Sequence, residues 1–231
     1  EILIVENNSE DKKTFAYYEQ LKQRYENVRI LVWKKEFNYS SINNFAVREA
    51  RGEYLLFLNN DVEIITPSWM EEMLQICQQD GVGITGAKLY YPDDTIQHAG
   101  VVLGLGGIAG HIMCKARRED IGYMGRMVCV QEISAVTAAC MLVKTSVFKA
   151  AGGFDEELRV AFNDIDLCMQ VRQMGQKIVF TPYAELYHYE SKSRGLEDTP
   201  EKQLRFSKEM KCFRRKWERE LLKGDPYYSP N

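Results

Sequence analysis

Two short runs of carboxylate and amide side chains directly follow apolar segments of the sequence. Glu6-Asn7-Asn8-Ser9 comes after ILIV, and Asn59-Asn60-Asp61 comes after YLLFL. Ligands of an open parallel sheet gather at the carboxyl ends of its strands, so polar side chains at these points are candidates for ligand binding. Asn and Asp after a strand are also common turn residues, and the spacing alone favours that simpler interpretation.

The elements that would position these runs alternate between strand and helix through the first half of the chain. The apolar segments predict strands at Ile2–Val5, Val28–Trp33, Tyr54–Leu58 and Val82–Leu89. The segments between them predict helices at Asp11–Tyr25, Ser41–Ala50 and Ser68–Gln79. This alternation predicts a parallel sheet covered by helices. ILIV and YLLFL lack polar alternation, as expected of strands that are buried on both faces.

The second half of the chain is less regular. Residues from about 91 to 132 are Gly-rich and lack periodicity, which is typical of a functional or mobile loop. Regular elements return with strands predicted at Thr137–Val143 and Lys177–Thr181 and helices predicted at Thr145–Ala151, Asp164–Met174 and Thr199–Leu222. The last helix is amphipathic, and its simplest interpretation is a helix packed on the domain.

Composition and charge exclude several classes of protein. The chain has 231 residues, of which 45% are hydrophobic and 27% charged, and this balance predicts one globular domain. A formal net charge of -3 gives no basic field, so we expect no nucleic-acid partner. Six dispersed cysteines without a C-x-x-C pair predict reduced thiols and a cytoplasmic location. No apolar run reaches the roughly 18–20 residues of a membrane span, which leaves peripheral contact with the inner membrane face as an open alternative.

Three motifs, taken in order, resemble those of family 2 glycosyltransferases. They are ILIVENNS, then ARGEYLLFLNNDVEI, then GGFDE followed by FNDIDLCMQVRQMGQKIVFTPYAELYHYES. The resemblance spans nearly the whole chain and implies the GT-A fold, an α/β fold with a mostly parallel central sheet flanked by helices. It also implies that the chain is truncated and that the first strand of the fold, which would precede ILIV, is missing.

The resemblance implies an activity and a division of the chain. The activity is transfer of a sugar, with inversion, from a UDP- or dTDP-sugar to a glycan or lipid-linked acceptor. The motif set resembles that of rhamnosyltransferase-like members, which act in bacterial surface polysaccharide biosynthesis. The catalytic domain would cover 1–198, with a nucleotide-binding half at 1–90 and an acceptor half at 91–198, followed by a helix and tail at 199–231.

The implied cofactor is a divalent cation, Mn²⁺ or Mg²⁺. Breaking a sugar–phosphate bond leaves a diphosphate, whose growing negative charge a cation would compensate. The family's Asp-x-Asp signature reads Asn59-Asn60-Asp61 here, so only the last carboxylate is present. Asp61 is the predicted metal ligand, together with His188 of LYHYES, while Asn59 and Asn60 are predicted to contact the donor.

Other residues are assigned to the donor by the same resemblance. Glu6 and Asn8 are placed near the nucleobase or ribose, and a turn that caps the following helix is compatible with that role. Asn44, in NYSSINN, is predicted to line the nucleotide pocket, the alternative being a position on a helix surface. Lys192 and Arg194 are predicted to close over the diphosphate, the alternative being ordinary solvated charge.

An acceptor hydroxyl must lose its proton during transfer, which requires a carboxylate within hydrogen-bond reach. The resemblance assigns this role to Asp164, the second residue of a motif that reads Asn163-Asp164 here. Gly153, Phe154 and Asp166 are predicted to shape the acceptor subsite. The alternative for Asp164 or Asp166 is capping of a helix N-terminus.

Two other classes of protein compete with the transferase. A sugar nucleotidyltransferase would show a Gly-rich phosphate loop with Lys or Arg near its start, and this sequence shows none. A catalytically inactive module that binds a nucleotide or a carbohydrate is the other alternative. It is motivated by the amide at Asn59, where the family has a carboxylate, and by the expected missing strand.

Overall fold

The structure, a computed structural model, describes residues 1–189 and 199–228. Its strands are β1 Ile2–Glu6, β2 Val28–Val32, β3 Tyr54–Leu58, β4 Val62–Ile64, β5 Val82–Tyr90, β6 Ile96–His98, β7 Val101–Leu103, β8 Ala109–His111, β9 Gln131–Glu132, β10 Cys140–Lys144 and β11 Lys177–His188. Its α-helices are α1 Lys12–Arg24, α2 Tyr39–Glu49, α3 Trp69–Cys77, α4 Thr145–Ala150, α5 Asn163–Gln173 and α6 Pro200–Lys223. Every strand and helix predicted from the sequence is present, and apart from the end of β11 the bounds agree within three residues.

A seven-stranded sheet forms the centre of the molecule. Its order is β3-β10-β5-β11-β4, with β6 paired to β5 and β9 paired to β11. β5 and β11 are parallel, whereas β10 runs antiparallel to both of its neighbours, β3 and β5. β1 and β2 form a separate parallel pair. The predicted α/β architecture is confirmed, but the sheet is mixed rather than mostly parallel. The reason is that β10 lies antiparallel between β3 and β5, and that β4, β6 and β9 also pair antiparallel with their neighbours.

Side chains pack on both faces of this sheet at β5. The sequence predicts burial on both faces for ILIV and YLLFL as well, but β1 and β3 are only partly buried. All nine residues of β5 are buried. Successive side chains of a strand point to opposite faces, so Tyr90 joins a large hydrophobic cluster with α5 and α6, whereas Leu89 joins a smaller one with α3. Helix α6 contributes the buried Phe213 and Trp217 and therefore belongs to the core. Although α6 has 24 residues, no helix in the described residues is both long and apolar enough to cross a membrane.

The segment from 91 to 132 differs most from its prediction. It contains the short strands β6, β7, β8 and β9. Ile96, Val101 and Leu103 expose 0%, 2% and 4% of their surface. Strands of two or three residues are too short for a hydrophobic period to be detected. The sequence therefore predicts an irregular loop, functional or mobile, where the structure has a part of the core.

Strand β11 reaches further than predicted and brings its end to the edge of the sheet that carries the candidate site. It continues past Thr181 to His188, with an irregularity in its pairing between Phe180 and Glu185. β4 pairs antiparallel with this extension, with Val62 opposite His188. This register places the residue before Val62, which is Asp61, beside the end of β11.

Candidate active site

Asp61 and His188 form the first part of the site. Asp61 Oδ1 lies 3.3 Å from His188 Nε2, and the side chains expose only 14% and 11% of their surface, respectively. Asn59, the residue after β3, has its Nδ2 at 3.1 Å from the same ring nitrogen. The structure therefore brings together both predicted metal ligands and one of the predicted donor-binding amides.

Gln97 determines which nitrogen of His188 carries the ring proton. Gln97 Nε2 donates to the carbonyl oxygen of His188 at 3.3 Å, which turns Gln97 Oε1 toward His188 Nδ1 at 2.7 Å. An amide oxygen only accepts, so the proton lies on Nδ1, and Nε2 presents its lone pair toward Asp61. A hydrogen bond of this kind to the remote nitrogen orients a histidine for metal binding.

The Asp61–His188 pair fits a divalent cation. Its two facing donors are a carboxylate oxygen, which suits Mg²⁺ and Mn²⁺, and an imidazole nitrogen, which favours a transition metal ion over Mg²⁺. Within residues 1–189 and 199–228, no three His, Cys, Asp or Glu side chains form a metal-binding group. A cation held by this pair would therefore leave most of its coordination positions to oxygens of a ligand.

The backbone just before β10 connects this pair with Asp164. Ala139 O accepts a hydrogen bond from Asn59 N at 3.0 Å. Ala138 N donates to Asp164 Oδ2 at 3.2 Å. Because β10 is antiparallel to β3, the start of β10 and the end of β3 lie at the same edge of the sheet. The predicted base and the predicted metal ligands therefore share that edge.

Asp164 lies in the first turn of α5 and is partly exposed. Its Oδ1 accepts from Ile165 N at 2.8 Å. Together with the bond to Ala138 N, this contact holds both carboxylate oxygens in a defined orientation. A carboxylate in this position also interacts favourably with the helix dipole, so a structural contribution and a chemical one are compatible.

The turn that leads into α5 is held by α6. Phe162, the residue before the helix, has a φ of 65°, which is uncommon for a bulky residue and needs support from its surroundings. The Phe162 ring stacks on Phe213 with centroids 5.4 Å apart. Glu209 Oε2 accepts from Ala161 N at 2.7 Å. These contacts from α6 orient the backbone from which Asp164 projects.

Glu6 lies at the end of β1, and the turn that follows engages its carboxylate. Ser9 N donates to Oε1 and Ser9 Oγ to Oε2, both at 2.6 Å, and Tyr18 Oη donates to Oε2 at 3.0 Å. Burial acts to raise the pKa of the Glu6 carboxyl, but the hydrogen bonds from Ser9 and Tyr18 outweigh it and the pKa is lowered. The capping turn considered from the sequence is therefore present, and the predicted nucleoside contact of Glu6 stays a prediction.

The remaining predicted donor-binding residues lie at several places. Asn8 has a φ of 56° and donates from Nδ2 to Lys35 O at 3.2 Å. Asn60 is exposed next to the Asp61–His188 pair. Lys192 and Arg194 lie outside the described residues. The roles of all four stay predictions.

Three predicted site residues instead join α2 to the turn after α4. The Asn44 amide donates from Nδ2 to Phe154 O at 2.9 Å and accepts at Oδ1 from Phe154 N at 3.0 Å. Gly153 has a φ of 78°, and a Cβ there would lie 2.7 Å from Asn44 Oδ1, so glycine is required at this position. Phe154 is 2% exposed and packs on Phe57 and Phe148. Asn44 and Phe154 therefore belong to a structural joint, and their predicted ligand contacts stay predictions.

Asp166, another predicted site residue, is buried in the structure. The side chain is 0% exposed, and its oxygens accept from Trp217 Nε1 at 2.7 Å, Lys216 Nζ at 2.9 Å and Gln170 Nε2 at 2.6 Å. These contacts make Asp166 an anchor between α5 and α6. Its predicted substrate contact stays a prediction.

His98 and His111 face each other beside the site, with their Nδ1 atoms 2.9 Å apart. His98 is 1% exposed, and its Nε2 accepts from Thr137 N at 3.4 Å. Burial lowers the pKa of His98 well below 6.5, and the neighbouring rings of His111 and His188 lower it further. His98 is therefore neutral in the folded protein at neutral pH and supports the backbone that precedes β10.

We expect folding stability to fall as the pH drops below 6.5, because of His98. The unfolded chain takes up a proton at His98 near that pH, whereas the folded protein does not. This contribution is fully present above the unfolded pKa and is lost at about 1.4 kcal/mol per pH unit below it. Urea unfolding would measure the free energy of unfolding of wild type and of His98→Gln. The measurements would be made at neutral pH and about one pH unit below the pKa that His98 has in the unfolded chain. The lower pH should reduce the free energy of unfolding in wild type only. His111→Gln, which changes an exposed ring, should retain this loss, and an equal loss in wild type and His98→Gln would contradict the assignment.

Gln97 and the backbone at 137–139 are parts of the candidate site that the sequence did not identify. Gln97 lies in the segment predicted to be an irregular loop, and its partner His188 is 91 residues away. The backbone at 137–139 acts through N–H and C=O groups, which every residue except proline carries. Neither feature leaves a signal in residue type or spacing.

Comparison with known proteins identifies relatives in sequence. The sequence model of the family described as Glycosyl transferase family 2 matches residues 1–151. The chain is 50% identical over 232 residues to the uncharacterized protein y4gI of Sinorhizobium fredii. It is 39% identical over 234 residues to the O-antigen biosynthesis protein RfbC of Myxococcus xanthus. Both alignments cover 100% of this chain, which spans 25% and 18% of the two relatives' own lengths.

A shorter match and two solved structures complete the comparison. The chain is 35% identical over 60 residues to the N-acetylglucosaminyl-diphospho-decaprenol L-rhamnosyltransferase of Mycobacterium tuberculosis. This alignment covers 26% of this chain and 20% of that relative. GalNAc-T7 with UDP, GalNAc and Mn²⁺ aligns with a TM-score of 0.66 and 14% identity over 87% of this chain and 39% of that one. The mannosyltransferase PcManGT of Pyrobaculum calidifontis with GDP-Man and Mn²⁺ aligns with a TM-score of 0.64 and 13% identity. This alignment covers 95% of this chain and 55% of PcManGT. At these identities the likeness concerns the fold alone, and it confirms the fold expected from the sequence.

Proposed function

Because the chain belongs to glycosyl transferase family 2, we propose that it moves a sugar from a UDP- or dTDP-linked donor to a glycan or lipid-linked acceptor, with inversion at the anomeric carbon. The family makes the chain a glycosyltransferase, while the donor, the acceptor and the stereochemistry are the proposal. The observation that carries it is the placement of Asp61, His188 and Asp164 at one edge of the sheet. The similarity to an O-antigen biosynthesis protein and a rhamnosyltransferase supports a role in bacterial surface polysaccharide synthesis.

The donor half of the proposed reaction uses the Asp61–His188 pair. These side chains would hold Mn²⁺ or Mg²⁺, which supplies positive charge beside the departing diphosphate. Gln97 keeps His188 in the tautomer that this role needs. Two structural neighbours were solved with Mn²⁺ together with UDP or GDP-Man, which supports a cation in this fold. Residues 1–90, with Glu6, Asn8, Asn59 and Asn60, form the proposed nucleotide-binding half, and Lys192 and Arg194 are proposed to contact the diphosphate.

The acceptor half of the reaction uses Asp164. Its carboxylate takes the proton from the acceptor hydroxyl as that oxygen attacks the anomeric carbon. The new C–O bond forms as the bond to the diphosphate breaks, on the opposite face of the sugar, so a single displacement inverts the configuration. Fixed hydrogen bonds from Ala138 N and Ile165 N orient the carboxylate and so reduce the reorganisation that this step requires.

We expect Asp61→Asn to remove the metal dependence of nucleotide binding. The change keeps the volume of the side chain but deletes the charged oxygen that faces His188 Nε2. In calorimetric titrations of UDP and dTDP, Mn²⁺ should tighten binding to wild type by about tenfold or more and should have no effect on the variant. Glu63→Gln, an exposed carboxylate two residues away, should behave as wild type. Unchanged manganese-dependent affinity in Asp61→Asn would refute the ligand assignment.

The direct test of the proposed function is turnover. The enzyme would be given a UDP-sugar or a dTDP-sugar, Mn²⁺ and an isolated glycan or lipid-linked acceptor. The release of free UDP or dTDP would then be measured. Acceptor-dependent release by wild type, together with inverted configuration of the product, is the expected result. Tight nucleotide binding without release from any donor would favour the inactive binding module instead.

A further inference from the structure

A pocket of about 600 Å³ opens on the face of the sheet opposite to His188. Its walls are β5, the bulged part of β11 and the 3-10 turn at Tyr123–Val128. Lys88 of β5 pairs in register with Glu185 of β11, on the same face as Tyr90. His188, three residues after Glu185, points to the other face. The pocket is therefore separate from the proposed metal site.

Lys88 lies at the floor of this pocket and is 3% exposed. Among residues 1–189 and 199–228 its Nζ has one hydrogen-bond partner, Met127 O at 3.0 Å, although an ammonium group has three N–H donors. Within the described parts of the chain, no carboxylate oxygen lies within 4.0 Å of Nζ. A buried cation without a paired anion is unfavourable for folding, and burial lowers the pKa of Lys88.

Glu185, the nearest acidic neighbour of Lys88 along the paired strands, is already engaged. Its Oε1 accepts from Tyr90 Oη at 2.5 Å and its Oε2 from Arg118 Nη2 at 3.2 Å. Asp94 also pairs with Arg118, at 3.1 Å, but does not line the pocket. Lys88 therefore directs unused donors into the pocket while the nearby carboxylates are occupied with Arg118.

The rim of the pocket suits a ligand rich in oxygen atoms. Arg118 Cζ lies 4.6 Å from the Tyr90 ring centroid and Lys88 Nζ lies 5.3 Å from it, so two cations approach the same ring. Tyr183, at the rim, exposes 53% of its surface and offers an aromatic face. Glu119 lines the outer rim with its side chain 74% exposed, so solvent screens its repulsion of an anion.

We propose that this pocket binds an oxyanion, either the carboxylate of an acidic sugar or a phosphate group, with Lys88 as its principal partner. The ligand accepts the unused ammonium hydrogen bonds and supplies the counter-charge that the protein does not. This binding activity is distinct from sugar transfer and does not depend on the assignment of Asp61, His188 or Asp164.

Calorimetric titration of the protein with inorganic phosphate and with glucuronate tests the proposal. The buffer contains a metal chelator and no added metal. The chelator excludes cation-dependent binding at the Asp61–His188 pair. Wild type is expected to bind one or both anions but not neutral glucose. Phosphate binding alone would identify a phosphate group as the natural ligand, and glucuronate binding alone would identify an acidic sugar. Absence of binding by wild type to both anions would overturn the proposal.

Two substitutions with opposite expected effects locate the binding. Lys88→Met keeps the unbranched part of the side chain but removes the ammonium group, and it should weaken anion binding by about ten- to a hundredfold. Lys144→Met is the matched control, because Lys144 Nζ also donates to a single carbonyl oxygen, that of Gln79 at 3.0 Å, outside the pocket. Glu185→Gln removes a negative charge beside Lys88 and should tighten binding, which tests the site even if Lys88→Met fails to fold. Unchanged affinity in a folded Lys88→Met variant, or weaker binding in Glu185→Gln, would also overturn the proposal.

Discussion

Asp164→Asn is expected to lower kcat by about 10²- to 10⁴-fold, the usual contribution of a positioned general base. Asparagine has nearly the same shape and can keep one of the two backbone hydrogen bonds that hold Asp164 in place. Asp61 and His188 are unchanged, so metal-dependent nucleotide binding should persist. Steady-state kinetics together with calorimetric titration of UDP and dTDP would separate loss of turnover from loss of donor binding.

Asp11→Asn provides a matched control for this experiment. Asp11 is also a carboxylate at a helix N-terminus, where its Oδ1 accepts from Lys13 N at 2.8 Å. Asparagine is an equally good residue at such a position, and turnover should be unaffected. Parallel losses of nucleotide affinity and turnover in Asp164→Asn would assign Asp164 a structural role, and undiminished turnover would exclude it as the base.

Asp166→Ala is expected to lower the free energy of unfolding by about 3–5 kcal/mol, as breaking a buried ion pair does. The carboxylate is inaccessible and accepts hydrogen bonds from Trp217 Nε1 and Lys216 Nζ. Its removal leaves the buried Trp217 N–H without a partner and takes from Lys216, which is 34% exposed, one of its two carboxylates. Because α6 also supports the Phe162 turn, the variant should lose the orientation of Asp164 as well as stability.

Urea unfolding of the variant would measure this loss, and Asp155→Ala is the comparison. Asp155 pairs with the same Lys216 Nζ at 2.9 Å, but its side chain is 25% exposed. Its removal should cost no more than about 1 kcal/mol, because solvent screens the pair. If the two variants lost similar amounts, the buried contacts of Asp166 would not be the anchor of α6.

The assignment of Asp166 and Phe154 shows where prediction from sequence ends. Both residues belong to motif segments, FNDIDL and GGFDE, that the resemblance associates with substrate. A motif specifies which residues lie near a site, but it does not state which of them face the ligand. Burial of Asp166 under α6 depends on Trp217, 51 residues later in the chain, and no local pattern contains that contact.

The sequence alone determined the order and type of the longer elements, because buried strands need uninterrupted apolar runs and helices need amphipathic ones. It did not predict the short strands β4, β6, β7, β8 and β9. The types of residue that could do chemistry, and their positions after strands, were determined in the same way. Tertiary structure decided which of these residues meet. Asn59 and His188 are 129 residues apart and come together only through the order of the strands. The antiparallel insertion of β10 and the joining of Asn44 to the turn at Phe154 follow from long-range packing, which depends on the whole chain rather than on any single segment.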